Sequence, residues 1–160
     1  MDNDCFTGFN EKAFVNYLGK IQGKEGCLFV SAPDVVGDAE LTLERFHHWQ
    51  PIIKSYGLPV ALVAQDGLDK HEVPWTMFEA LFIGGTTEFK LGEYVKELVR
   101  EAKERGKFVH MGRVNSKKRI EYAISIGCDS VDGSGYSMFP DTNIPKALAV
   151  LNQQYWEEFS

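Results

Sequence analysis

The runs Val60-Ala-Leu-Val-Ala-Gln-Asp-Gly67 and Ala80-Leu-Phe-Ile-Gly-Gly-Thr-Thr87 share one plan: a few consecutive apolar residues that stop abruptly at polar residues and glycine. An apolar run too short for a buried helix and without polar alternation suits a strand covered on both faces. Strands of that kind belong to parallel sheets, whose crossover helices cover the two faces. Working outward, Cys27-Leu-Phe-Val-Ser31 and residues 107–111 and 128–131 read as three more such strands.

Helical patterns fill the intervals. Asn10 is placed to cap a helix in which Phe14, Tyr17, Leu18 and Ile21 recur at helical spacing, ending near Gly23. Asp38 can cap the next, with Leu41, Phe46, Trp49 and Ile53 inward and Gly57 and Pro59 at its end. Pro51 inside that pattern predicts a kink or a split. Trp75 and Phe78 open a short helical turn in the loop that holds Pro74. Residues 91–105 form an amphipathic helix, with Tyr94, Val95, Leu98, Val99 and Ala102 on one stripe and Gly106 just past the end. Ser116 caps a helix carrying Ile120, Ala123 and Ile124 and closed by Gly127, and Pro145 opens a terminal helix through Leu148, Leu151 and Tyr155.

Alternating strands and helices without hairpins mean βαβ units, hence an α/β fold with parallel strands. The architecture is either an open doubly wound sheet or a (β/α) barrel. A full eight-stranded barrel usually needs at least about 200 residues, so a barrel in this 160-residue chain is compact or incomplete. The chain is read as one domain, residues 1–160, with no repeat and no linker.

Composition narrows the function classes. A hydrophobic fraction of 44% and a charged fraction of 25% are those of an ordinary globular protein. There is no apolar stretch of transmembrane length and no basic, apolar leader, so the expectation is a cytoplasmic protein that makes no membrane contact. Cys5, Cys27 and Cys128 are odd in number and lack metal-ligand spacing, and the four histidines form no ligand motif. No metal and no cofactor are therefore expected, and the cysteines read as packing residues. A net charge of -6 argues against a surface that grips nucleic acid everywhere. The cluster of Lys103, Arg105, Lys107, Arg113, Lys117, Lys118 and Arg119 is either a set of solvated helix faces or a phosphate-contacting patch. The sequence leaves homo-oligomer formation open.

In both architectures the working residues stand at the C-terminal ends of the strands. Those ends hold Asp34, then Gln65-Asp66-Gly67, then Gly84-Gly85, then Met111-Gly-Arg113, then Asp129-Ser-Val-Asp132. At the start, Asp2-Asn-Asp-Cys-Phe6 precedes the first helix as a strand end would. Singly, each is explained as a turn or a cap. Together they read as a chemical site in which the carboxylates and the carboxamide converge. Paired carboxylates fit glycosidic chemistry, one trapping the oxocarbenium-like carbon while another protonates the leaving group. Gln65 and the Gly84-Gly85 backbone suit the edge of a planar base, and Phe6 and Met111 suit its faces.

The order of these motifs resembles the tRNA-guanine transglycosylase superfamily, most of all its short phage and bacterial deazapurine-in-DNA (DpdA) relatives. The likeness runs through Ala32-Pro-Asp-Val-Val-Gly-Asp38, Leu62-Val-Ala-Gln-Asp-Gly67, Leu81-Phe-Ile-Gly-Gly-Thr-Thr87, Val109-His-Met-Gly-Arg-Val114 and Ile126-Gly-Cys-Asp-Ser-Val-Asp-Gly133. It implies a TIM-type barrel that exchanges guanine for a 7-deazaguanine such as preQ0. It implies Asp132 as nucleophile, Asp2 as acid/base, and Asp34, Gln65, Gly84 or Gly85 as base-recognising groups. Met111 and Phe6 would stack on the base, with Asp129 a supporting neighbour. The sequence departs from the family where Asp4 and Asp66 replace glycine and Arg113 replaces valine. The zinc-binding insert of the tRNA enzymes is missing, which makes DNA the expected polymer rather than tRNA. Met1 directly precedes Asp2, so the strand expected to deliver that aspartate is not in this chain. Three other readings stay open: exchange on tRNA, hydrolytic removal of a base from DNA by the same residues, and a protein that binds a base or nucleotide without chemistry.

Overall fold

A computed structural model describes residues 9–23 and 27–133. Asp2, Phe6, Cys5 and the terminal helix expected after Pro145 lie outside the described residues. The fold is α/β with parallel strands, as the alternation predicts. The chain divides after Val95 into two compact units.

In the first unit, α1 (Glu11–Ile21) is capped by the Asn10 side chain, which accepts from the Ala13 amide, and buries Phe14, Leu18 and Ile21. Strand β1 is only Val30–Ser31, shorter than the apolar run suggested. Leu28 is 67% exposed and lies outside the paired residues of β1. Helix α2 (Ala39–Ser55) starts at Asp38, whose carboxylate accepts from the Leu41 amide. Leu41 faces outward, contrary to the sequence reading, and Leu43 takes the inward place beside Phe46, Trp49 and Ile53. At 100° per residue, position 41 falls on the opposite side from the 39, 43, 46 stripe. Pro51 is contained within α2, which runs on as one helix.

Strands β2 (Val60–Ala64) and β3 (Ala80–Ile83) have the predicted boundaries. They pair in parallel, Ala61 opposite Ala80 and Ala64 opposite Ile83, and β1 pairs β2 with Val30 opposite Val60. All five residues of β2 are buried, which explains its unbroken apolar sequence. Phe9, Phe14 and Trp49 stack edge to face with centroids 5.2–5.6 Å apart, closing the α1–α2 side of the core. A short helix, α3 (Thr87–Lys90), precedes α4 (Glu93–Glu104), where the sequence suggested a single helix from residue 91.

In the second unit, β4 (Phe108–Met111) and β5 (Ser130–Val131) pair in parallel, with His110 opposite Ser130 and Met111 opposite Val131. Between them α5 (Lys117–Ile126) is capped by Ser116 and ends at Gly127. Gly127 has φ +107, a left-handed conformation open to glycine at little cost. Cys128 is buried, and burial first, then the neighbouring Asp129 charge, push its thiol up to about 12 against the opposing pull of Lys103. It is a packing residue, protonated at neutral pH.

Among the described residues no helix is long and apolar enough to cross a membrane.

Candidate functional site

The first unit gathers its polar groups where β1, β2 and β3 end. Gln65 follows β2 directly and is 2% exposed; Asp34, beyond β1, is 8% exposed. The Gln65 side chain is held at both ends. Its Nε2 donates to Asp34 Oδ2 at 2.7 Å, and its Oε1 accepts from the Gly37 amide at 3.0 Å. This pattern fixes which way the amide points and gives the buried carboxylate a donor. Thr42 ties the same loop down: its hydroxyl accepts from the Val35 amide and lies 2.7 Å from the Asp38 carbonyl. Arg45 Nη1 donates to the Asp34 carbonyl at 3.0 Å. The sequence reading placed Asp34 and Gln65 together, and they are in direct contact.

The two glycines after β3 have separate steric reasons. A Cβ on Gly84 would stand 3.0 Å from Gln65 Nε2 and 3.0 Å from Val63 Cγ1, so the missing side chain is the room the carboxamide occupies. Gly85 has φ +81, and a Cβ there would come within 2.6 Å of Asp66 Oδ2. Gly85→Ala is expected to cost about 1–2 kcal/mol through the left-handed backbone alone, with the carboxylate contact adding to it. Urea unfolding measures this; an unchanged midpoint would contradict the turn.

Asp66, where the resemblance expects glycine, is the partner of Thr86. Its oxygens accept from the Thr86 amide at 2.9 Å and the Thr86 hydroxyl at 2.6 Å, while that hydroxyl accepts from the Phe89 amide to cap α3. Burial alone would raise the Asp66 pKa; the Thr86 hydroxyl and amide, its own backbone amide and the Lys90 charge outweigh that. The carboxyl therefore sits below its ordinary value of 3.8. With the folded value depressed, the stabilisation is complete above the unfolded value and is lost as pH falls through the folded one. Thr86→Val is thus expected to make stability less sensitive to acid below about pH 4. Urea midpoints at neutral and acidic pH check this, and parallel pH curves for the two proteins would contradict it.

Ser31, the last residue of β1, was passed over in the sequence. Its hydroxyl is the one buried side-chain polar atom among the described residues without a hydrogen-bond partner. A hydroxyl closing an apolar strand run was the available signal.

In the second unit, Asp132 follows β5 and its carboxylate is half exposed, at 52%. Oδ1 accepts from the Arg113 amide at 3.0 Å, and Oδ2 lies 2.6 Å from His110 Nε2. Arg113 takes a left-handed conformation, φ +54, at the turn that presents this amide. Gly133 lies tight against the chain after β4, where a Cβ would stand 2.2 Å from the Val114 carbonyl oxygen. The Val114 amide donates to the Asp132 carbonyl at 2.6 Å, so the backbone that carries Asp132 is itself pinned.

Asp129 does not join Asp132. It pairs with Lys103 at 2.6 Å and accepts from the Val109 amide at 2.8 Å, which makes it a strut between β5, β4 and the end of α4. Met111 is 2% exposed and packs in the core of its unit, where the sequence reading made it a stacking surface. Of the basic cluster, Lys103 is bound to Asp129, while Arg105 meets Glu101 at 3.0 Å and Lys117 meets Glu121 at 3.8 Å. Among the described residues no three His, Cys, Asp or Glu side chains are grouped to hold a metal ion.

No family model matches the chain, and no curated protein matches it. Among solved structures it is similar to the Bacillus subtilis YkuI protein, which has an EAL domain and was solved in complex with c-di-GMP and calcium. The identity is 16% and the TM-score 0.51, covering 92% of this chain. The chain spans 40% of the length of that structure. At this identity the likeness is one of fold: an incomplete (β/α)8 barrel, an architecture on which enzymes of many chemistries are built.

Proposed function

We propose that this chain is a nucleobase transglycosylase that exchanges guanine in DNA for a 7-deazaguanine through a covalent aspartyl-glycosyl intermediate. The observation that carries the reading is the Asp132 carboxylate: half exposed, following a strand of a (β/α)-type fold, and oriented by the Arg113 amide and His110. A carboxylate pre-oriented by donors and still open to a reactant is what nucleophilic attack on an anomeric carbon asks for. The Asp34–Gln65 pair supports recognition of a base, since a buried carboxylate with a fixed carboxamide discriminates among hydrogen-bonding edges.

In this reading an Asp132 oxygen bonds to C1′ of the nucleoside as the C1′–N9 bond breaks. The bonding pair leaves with guanine, which takes a proton at N9 from the acid/base group, assigned to Asp2 by the resemblance. The incoming deazaguanine gives its proton to the same group and bonds to C1′, and the aspartyl ester pair returns to Asp132. A target inside a duplex must be flipped out or met in a single strand.

The test is to incubate the protein with guanine-containing DNA, and separately with tRNA, each with labelled guanine. The reading expects label in DNA. Label in tRNA only moves the substrate to tRNA, abasic sites without label mean hydrolysis, and tight base binding without turnover means a binding protein.

A further inference from the structure

Three side chains of the second unit form a continuous array that the reading above does not use in full. His110 and Ser130 are directly opposed in the β4–β5 ladder, which brings Nδ1 to 2.6 Å from the serine Oγ. Side chains two apart on a strand share a face, so the other nitrogen of the ring meets Asp132, with Nε2 2.6 Å from Oδ2. The carboxylate can only accept, so Nε2–H donates to it, while the serine hydroxyl, able to donate or accept, meets Nδ1. Serine, histidine and aspartate in contact also suggest a serine nucleophile, but the burial order argues otherwise. The carboxylate is the exposed end at 52%, whereas the imidazole is 12% exposed and the serine is partly buried within the β4–β5 ladder. The reactive end of this array is the aspartate.

We propose that His110, its ring held by Ser130 at Nδ1 with Nε2–H turned to Asp132, is a positioning residue that governs how readily Asp132 leaves the sugar. The inference rests on the base-exchange reading. A hydrogen bond from Nε2–H is stronger to a carboxylate anion than to the neutral ester of the intermediate. It therefore favours the step in which the C1′–Oδ bond breaks and its electron pair returns to Asp132. Without it, the ester forms but resolves slowly.

The experiment compares wild type, His110→Phe, His110→Gln and Ser130→Ala. Two readings are taken: the rate of labelled guanine exchange on guanine-containing DNA, and the fraction of protein trapped as a denaturation-stable adduct. For His110→Phe the exchange rate should fall about ten- to a hundredfold while the trapped fraction rises. His110→Gln, which restores an N–H donor, should recover part of the rate. Ser130→Ala should move both readings in the same direction by about tenfold or less. Wild-type values in His110→Phe and Ser130→Ala, or a slower exchange with no rise in trapped adduct, would overturn the inference. If His110→Phe does not fold, Ser130→Ala decides by the same two readings. A wild-type protein that neither traps nor exchanges fails the base-exchange reading itself, which is a different result.

Discussion

Asp132→Asn is expected to abolish both labelled-guanine exchange and adduct formation, a loss of about ten-thousandfold or more. The substitution keeps the size and shape of a half-exposed side chain but leaves the Arg113 amide or His110 Nε2–H facing an NH2 group, so it should cost about 1–3 kcal/mol of stability and still fold. What it removes is the anionic oxygen that can bond to an anomeric carbon. The neighbouring Asp129 cannot substitute, because Lys103 and the Val109 amide hold its carboxylate. Exchange assays with a urea-unfolding control measure both halves of the expectation. Near-normal exchange in a folded Asp132→Asn protein would remove this residue from the chemistry.

Asp34→Ala should be damaging in two ways at once. Gln65 Nε2 would lose its acceptor in a site where the glutamine is 2% exposed, costing about 1–3 kcal/mol of stability. If the proposed function holds, a carboxylate assigned to base recognition would also be gone, and exchange should fall about a hundredfold. Asp34→Asn separates the two effects. Its side-chain oxygen can still accept from Gln65, so stability should largely return while exchange stays low. Recovery of exchange together with stability would mean that Asp34 serves only to hold Gln65. Unfolding midpoints and exchange rates for the two variants give the answer.

The strands most legible in the sequence were those whose burial is complete or nearly so. The boundaries of β2 and β3 follow from apolar runs that end at Gln65 and Gly84, because β2 is buried throughout and β3 at all but Phe82, which leaves no place for a polar residue within them. Caps were equally readable, since Asn10, Asp38 and Ser116 each satisfy an amide three residues on. Composition misled where an apolar residue had no partner. Leu28 and Leu41 look like core residues and are exposed, because ladder length and helical phase, not hydrophobicity, decide which positions face inward. The Thr87–Lys90 helix is four residues long and is capped by Thr86, which Asp66 holds from twenty residues away, a contact that local spacing does not reveal.

The same distinction applies to the candidate site residues of each unit. Strand-end position picked out Asp34, Gln65 and Asp132 as candidates, and within the first unit the contact of Asp34 with Gln65 followed from adjacent strand ends. Position could not say which of the two acids in Asp129-Ser-Val-Asp132 would be occupied by a lysine, since Lys103 lies on a different element. Nor could it give the His110–Ser130 register, which exists only once β4 and β5 pair. Sequence position names the candidates; the ladder decides which remain chemically available.

The most direct measurement is peptide mass mapping of the wild-type protein after denaturing quench during turnover on guanine-containing DNA. A sugar-linked mass on the peptide that contains Asp132, absent from Asp132→Asn, is the predicted result. Exchange that proceeds with the adduct on another residue, or with no adduct at any quench time, would contradict the account.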